Sequence, residues 1–282
     1  MASSELRPLL KLVPTGKVRF HEHPEGRRTA RLMERIARDA QLRNPPIVAD
    51  MGNGHFLLLD GANRVSAFRD LNYPLVPVQV VDYGDHQVQL KGWHHLLLQG
   101  ASLSLREAYD RLEGVEMRPV APGQLARLLE LRQVFVVLVE EQDQFWGLFP
   151  TSGGDIDINH RIVILESVVS AYEGQTRLER VKLADYDQLP EVIESVQHQV
   201  CLFPVLHKEE MLHLANAGVM IPTGLTRHII PGRALGINLD LSLITGPGSV
   251  AEKEAAFQAF VDKISMEGRI RFYEESVFIM NE

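Results

Sequence analysis

Phe56-Leu57-Leu58-Leu59-Asp60-Gly61-Ala62-Asn63-Arg64-Val65-Ser66-Ala67-Phe68 is the stretch on which the reading of this chain turns. The apolar run Phe56 to Leu59 predicts a buried strand, and Asp60-Gly61 ends it. Val65, Phe68 and Leu71 then recur at spacings of three, which predicts a helix starting at once. The first N–H groups of such a helix have no partners within it and lie at the positive end of its dipole. A strand that turns directly into a helix therefore makes an anion site. Gly61 lets the backbone approach a ligand, and Arg64 adds a forked cation suited to phosphate. Asp60 repels a phosphate unless a cation lies between them, so a Mg²⁺ at the edge of the cradle is expected. The plainer reading is a strand–turn–helix in which Asp60 only caps the helix.

Outward from this turn, the flanking chain reads as alternating strands and helices. A strand is expected at Leu9–Val13, a polar loop at Phe20–Gly26 and a helix over Arg28–Ala40 with Leu32, Ile36 and Ala40 as its stripe. Pro45-Pro46 cannot continue that helix. Ile47–Ala49, the Gly52-Asn53-Gly54 turn and Phe56–Leu59 form a hairpin. Val76–Val81 is another strand, and a helix is expected over Val88–Leu98.

Gly100 to Gly123 reads as a junction. Beyond it come a hairpin (135–139 with 144–148), a strand or helix start at 161–165, a strand at 178–181, a helix at 189–196 and a strand at 200–204. A helix at 208–217, irregular chain over 219–244, a helix at 250–264 and a last strand at 269–273 complete the pattern. The class is α+β, with domains expected at residues 1–100 and 101–282.

The formal charge of −8 disfavours nucleic acid as the main partner. The single cysteine, Cys201, excludes an intrachain disulfide and reads as a buried small hydrophobe. No stretch has the apolar length of a membrane span and no signal-peptide layout opens the chain, so a cytoplasmic protein is expected.

Three polar clusters are candidates for chemistry. His21-Glu22-His23 reads as a metal pair short of ligands, as a surface loop, or as the seat of a general base, Glu22. Trp93 beside His94-His95 reads as core or as the wall of a pocket, with the two histidines facing apart. The third runs from Ile221 to His228 and continues to Pro231-Gly232-Arg233 and Asn238; its Thr226, Arg227 and His228 offer hydroxyl, guanidinium and imidazole to a carboxylate or phosphate, or it is a surface turn.

Residues about 17 to 98 resemble the ParB/sulfiredoxin-like domain. The resemblance rests on Glu22, the arginine-rich helix, Leu42-Arg43-Asn44-Pro45-Pro46-Ile47-Val48 and Asp60-Gly61-Ala62-Asn63-Arg64. Sulfiredoxins carry a cysteine where this turn has Ala62, and chromosome-partitioning ParB proteins carry a Glu-Arg pair where it has Ala62-Asn63. The free L-serine kinase branch fits best. It includes archaeal ADP-dependent kinases and the ATP-dependent kinase of staphyloferrin B siderophore biosynthesis. It shares the Asp-Gly-x-x-Arg turn, an upstream His-Glu loop, the following tryptophan and a Pro-x-Gly-x-Thr-Arg-His segment.

The resemblance implies a ParB/sulfiredoxin-like N-terminal domain with a second α/β lobe that contributes to the substrate site. It implies phosphoryl transfer from ATP or ADP to the hydroxyl of free L-serine, giving O-phospho-L-serine. Glu22 and Asp60 would be catalytic, with Asp60 holding Mg²⁺. Asn44, Gly61, Ala62, Asn63 and Arg64 would bind the nucleotide, and Trp93, Thr226, Arg227 and His228 would bind serine. A homodimer stays open as the assembly. The alternative is a nucleotide- or metabolite-binding transcriptional regulator of ParB-like fold.

Overall fold

The computed structural model describes residues 7–98, 105–141, 144–151, 156–183 and 198–272. In chain order, the first elements are β1 (Leu9–Pro14), β2 (Val18–Arg19), α1 (Gly26–Asp39), β3 (Gln41–Leu42), β4 (Ile47–Asp50), β5 (Phe56–Asp60), α2 (Ala62–Asp70) and β6 (Leu75–Val81). β7 (Gln89–Gly92), β8 (His94–Leu98), α3 (Leu105–Asp110), β9 (Val115–Pro119), α4 (Leu125–Glu130), β10 (Val136–Glu141), β11 (Gln144–Pro150), α5 (Ile158–Ser170), β12 (Arg177–Val181) and β13 (Gln199–Leu202) follow. The chain continues through α6 (Lys208–Ala217), β14 (Thr226–Ile229), β15 (Leu239–Asp240), α7 (Ser242–Thr245) and α8 (Val250–Met266). This is the expected α+β class.

Two compact units divide the chain. One is Met1–Gln89 together with Ile229–Glu282, and the other is Leu90–His228. The last segment therefore groups by contact with the N-terminal residues, and the residues just before 100 group with those that follow.

The first unit is built on a five-stranded mixed sheet in the order β1-β6-β4-β5-β2. β4 and β5 are the antiparallel hairpin predicted from Gly52-Asn53-Gly54. Leu58, Val65, Phe68, Val76 and Val78 are fully or almost fully buried in one cluster, which Phe257 of α8 joins. α8 also covers the free edge of β1. The Leu12 N–H donates to Glu254 Oε2 at 3.1 Å, and Gln258 Nε2 donates to the Leu10 carbonyl at 3.1 Å. An edge strand left with bare donors and acceptors is a template for unwanted pairing, and these two side chains occupy it.

The second unit carries a six-stranded sheet, β12-β8-β13-β10-β11-β9, with every pair antiparallel. Buried Arg161 of α5 donates to the carbonyls of Val134 (2.9 Å) and Arg132 (2.8 Å), tying the helix to the chain that enters β10. Cys201 is fully buried, which pushes its thiol up to about 12, so it stays an inert thiol as expected.

The structure corrects three expectations, one of them the irregular chain over 219–244, which carries β14, β15 and α7. The helix expected over Val88–Leu98 is two strands, β7 and β8. Residues 94–97 are buried without a break because β8 lies inside the sheet between β12 and β13. A short apolar run of that kind has no periodicity that separates a strand from a buried helix. The strand expected at 269–273 is also missing, since residues 269–272 join no ladder; Tyr273 lies outside the described residues. The open reading at 161–165 resolves as helix α5, and the helix expected at 189–196 lies outside the described residues.

His94 ties β8 to the end of β13, its Nδ1 accepting the Phe203 N–H at 3.1 Å. Burial, and secondarily the neighbouring His95, lower its pKa from the ordinary 6.5 to about 4. The unfolded chain thus binds more protons than the folded chain between those values. Stability should fall as pH drops from 6.5 toward 4, by up to ~3 kcal/mol for this group. His94→Asn, which retains an acceptor but does not titrate, should flatten that acid limb in urea unfolding measured as a function of pH.

Candidate active site

The turn after β5 has the predicted form. Asp60 is the last residue of the strand, Gly61 takes a left-handed conformation (φ 100°), and α2 begins at Ala62. Both Arg64 N–H (2.9 Å) and Val65 N–H (3.0 Å) return to the Gly61 carbonyl. Helix geometry leaves the Ala62 and Asn63 N–H groups without an acceptor inside the helix. Gly61 is required here twice over. Its φ is rarely open to residues with a Cβ, and a Cβ would meet the Arg64 guanidinium at 3.0–3.1 Å.

Arg64 is committed to the protein. Its Nη1 donates to the carbonyls of Asn44 (2.9 Å) and Pro45 (3.1 Å), and its Nη2 donates to Asp60 Oδ2 at 2.6 Å. The expectation that Arg64 grips a phosphate thus meets a side chain already holding the Asn44-Pro45 segment onto the turn. Asn63 is similarly engaged. Its Oδ1 accepts the Glu25 N–H (2.9 Å) and the Thr29 hydroxyl (3.1 Å), pinning the start of α1 to the start of α2. Asn44 Oδ1 accepts the Gly236 N–H at 2.8 Å.

The His21–His23 loop is held at both ends. His21 is buried, and its Nδ1 donates to the Leu58 carbonyl of β5 at 2.6 Å. A carbonyl only accepts, so Nδ1 carries the hydrogen and Nε2 faces Glu22, 3.8 Å from its Oε1. The other end is the Glu25–Asn63 bond. Glu22 is mostly enclosed, with its side chain 16% exposed. The metal reading of His21-Glu22-His23 gains nothing: no group of three metal-ligating side chains occurs among the described residues.

Sequence reasoning placed Arg233 at the end of the third polar cluster without a role of its own, and gave none to Gln79. Arg233 Nη2 donates to Asp60 Oδ2 at 2.5 Å, so one carboxylate oxygen is shared by two guanidinium groups. Gln79, 3% exposed within β6, spends both ends of its amide on the chain around Arg233. A lone glutamine in the apolar run Val76–Val81 was the available signal, though its partner was not legible.

In the second unit, Trp93 follows β7, and its N–H donates to the Leu225 carbonyl at 3.0 Å. Its ring lies 5.1 Å from the Arg227 guanidinium and 5.6 Å from Lys182 Nζ. His95 Nε2 donates to the Gly224 carbonyl (2.9 Å) while its Nδ1 accepts from the Tyr172 hydroxyl (2.6 Å). These bonds fix the chain entering β14. Along that strand side chains alternate, so Thr226 and His228 share a face while Arg227 takes the opposite one. Trp93 and Arg227 are thus brought together, and the three-residue kit divides into a pair and a single.

This α+β fold and this strand–turn–helix are the ones that the resemblance to the ParB/sulfiredoxin-like domain implied. Over most of its length the chain is similar to L-serine kinases, the branch that the resemblance implied. It is 26% identical over 274 residues to the ATP-dependent L-serine kinase SbnI of Staphylococcus aureus, covering 97% of each chain. It is 28% identical over 231 residues to the ATP-dependent L-serine kinase of Desulfurococcus mucosus, covering 78% of this chain and 85% of the relative. The solved structure of C-terminally truncated SbnI matches with a TM-score of 0.72 at 25% identity, over 90% of this chain and 97% of that one. A free serine kinase in complex with AMP matches in fold, with a TM-score of 0.68 at 19% identity over 84% of this chain and 94% of that one. No family model matches the chain. No helix among the described residues is long and apolar enough to cross a membrane.

Replacing Arg64 with alanine removes a hydrogen-bond donor from two carbonyls and one from a carboxylate. It should lower unfolding stability by about 1–3 kcal/mol, as read by urea denaturation. Arg64→Lys should restore little of this, because an ammonium lacks the planar fork that reaches three acceptors.

Proposed function

We propose that the protein is a small-molecule kinase that transfers a phosphoryl group from a nucleotide to the hydroxyl of free L-serine, giving O-phospho-L-serine. The observation that carries this reading is the double clamp on the Glu22 loop. His21 bonded to Leu58, and Glu25 bonded to Asn63, hold a carboxylate beside the turn whose helix N-terminus suits phosphate. Phosphoryl transfer asks little covalent work of a protein. It needs the acceptor and donor positioned, charge neutralised and a base at the attacking oxygen.

In this reading Glu22 accepts the serine hydroxyl proton as that oxygen bonds to the terminal phosphorus. The bond to the bridging oxygen breaks, and the shortened nucleotide leaves. His21, pegged to β5 through Nδ1, fixes the backbone that carries Glu22. Gly61, Ala62 and Asn63 offer backbone to the phosphates, and Asn44 and Arg64 hold the turn in shape for them. The names of the relatives favour ATP as donor. Trp93, Thr226, Arg227 and His228 are assigned to L-serine, with the Arg227–Trp93 pair as the candidate holder of its carboxylate.

The described residues fit a magnesium ion that arrives with the nucleotide rather than one caged by protein. They hold no group of three ligands, whereas Mg²⁺ commonly binds through one or two carboxylates plus substrate phosphates and waters. Asp60 would supply such a carboxylate, and the ion would neutralise charge on the phosphates. A cytoplasmic location remains part of the proposal, while the assembly and the pathway that uses the phosphoserine stay open. The regulator reading has no observation in its favour, since the curated relatives named above are all kinases.

Glu22→Gln should abolish formation of O-phospho-L-serine from ATP, Mg²⁺ and L-serine, followed by phosphorus NMR, while ATP affinity by calorimetry stays within about threefold. Turnover close to that of the wild type would remove Glu22 from the role of base. Arg227→Ala should raise KM for L-serine, and an unchanged KM would detach the second unit's cluster from the acceptor.

A further inference from the structure

We infer that Arg233 is a phosphate-binding residue of the donor site, held in readiness on Asp60 until a nucleotide takes it over. This deepens the kinase reading and rests on it. Asp60 Oδ2 is shared by Arg64 at 2.6 Å and Arg233 at 2.5 Å, so two cations face one anion and the cluster carries excess positive charge. The two arginines differ in what else they do. Arg64 is 21% exposed and also holds the carbonyls of Asn44 and Pro45. Arg233 is 41% exposed, and Asp60 is its hydrogen-bonding and ion-pairing partner.

The chain around Arg233 is held more firmly than an exposed ion pair requires. Gln79 Nε2 donates to the Gly232 carbonyl at 3.0 Å, and Gln79 Oε1 accepts the Ala234 N–H at 2.8 Å. Asn44 Oδ1 accepts the Gly236 N–H at 2.8 Å. The residues on both sides of Arg233 are thus bonded to one buried amide, and a third bond leads to the segment that Arg64 secures. A loop ordered in advance spares the entropy of ordering on binding, which is how a pre-organised contact gains affinity. An exposed arginine–carboxylate pair is cheap to break, and a phosphate carries more charge than the carboxylate it would replace. Transfer of Arg233 to the phosphate chain would also leave Asp60 Oδ2 with one arginine fewer, at the residue assigned to the metal.

The test is calorimetric binding of ATP and of adenosine to the full chain and to Arg233→Gln. The variant should lose at least about tenfold in ATP affinity, the worth of a charged hydrogen bond, and keep its adenosine affinity. In the wild-type chain, phenylglyoxal labelling of Arg233, followed by mass spectrometry, should be suppressed by ATP and not by adenosine. Unchanged ATP affinity in the variant, or labelling indifferent to ATP, would overturn the inference and leave the kinase reading standing. Equal losses for ATP and adenosine would also overturn it, since they would mark Arg233 as merely structural. A wild-type chain that binds no ATP would overturn the inference and the donor site together.

Discussion

Arg64 holds together pieces of chain that the sequence keeps well apart. Its guanidinium joins the Asn44-Pro45 carbonyls to a carboxylate four residues before it, across the left-handed turn at Gly61. Without that fork, the Asn44 and Pro45 carbonyls and the Asp60 carboxylate would each lose a bond. Gly61 makes the arrangement possible, since a side chain at that position would press on the guanidinium. The neighbouring helix is fixed through Asn63 to the start of α1, and through that contact the Glu22 loop is set as well. The geometry of the candidate donor site therefore follows from how one turn is braced.

The second unit shows the same economy with different chemistry. His95 bridges the Tyr172 hydroxyl and the Gly224 carbonyl inside the core, and Trp93 bonds the next carbonyl through its backbone. Two residues of one chain segment, Trp93 and His95, thereby fix the approach to β14. Buried polar groups are costly unless paired, and here the pairing positions Thr226, Arg227 and His228.

Much of the first unit was legible in the sequence because its signals are local. Gly52-Asn53-Gly54 between two apolar runs specifies a hairpin, and Asp60-Gly61 before a three-residue periodicity specifies a strand–turn–helix. The Val88–Leu98 stretch misled because a strand buried on both faces loses the alternation that would identify it. The candidate residues were mostly visible as types, but their partners were not. Arg64 carries the right chemistry for phosphate, yet its fork is filled by carbonyls 19 and 20 residues away. His21 has a ligand's imidazole, yet it serves as a peg on β5. Arg233 stood at the end of the third polar cluster, but its partner was hidden, since its bond to Asp60 spans 173 residues.

By itself, then, the sequence determined the α+β class, the anion-suited turn and the residues to suspect of kinase chemistry. The first two depend on spacing along a few residues, through hydrogen bonding and periodicity within one element; the third rests on the resemblance to the free L-serine kinases. Only the tertiary structure decided which polar side chains brace the protein and which face outward. It decided that α8 shields β1, and that a buried glutamine steadies the loop of a distant arginine. Such assignments depend on which donor meets which acceptor after the sheets have formed, and that pairing is set by packing rather than by neighbourhood in the chain.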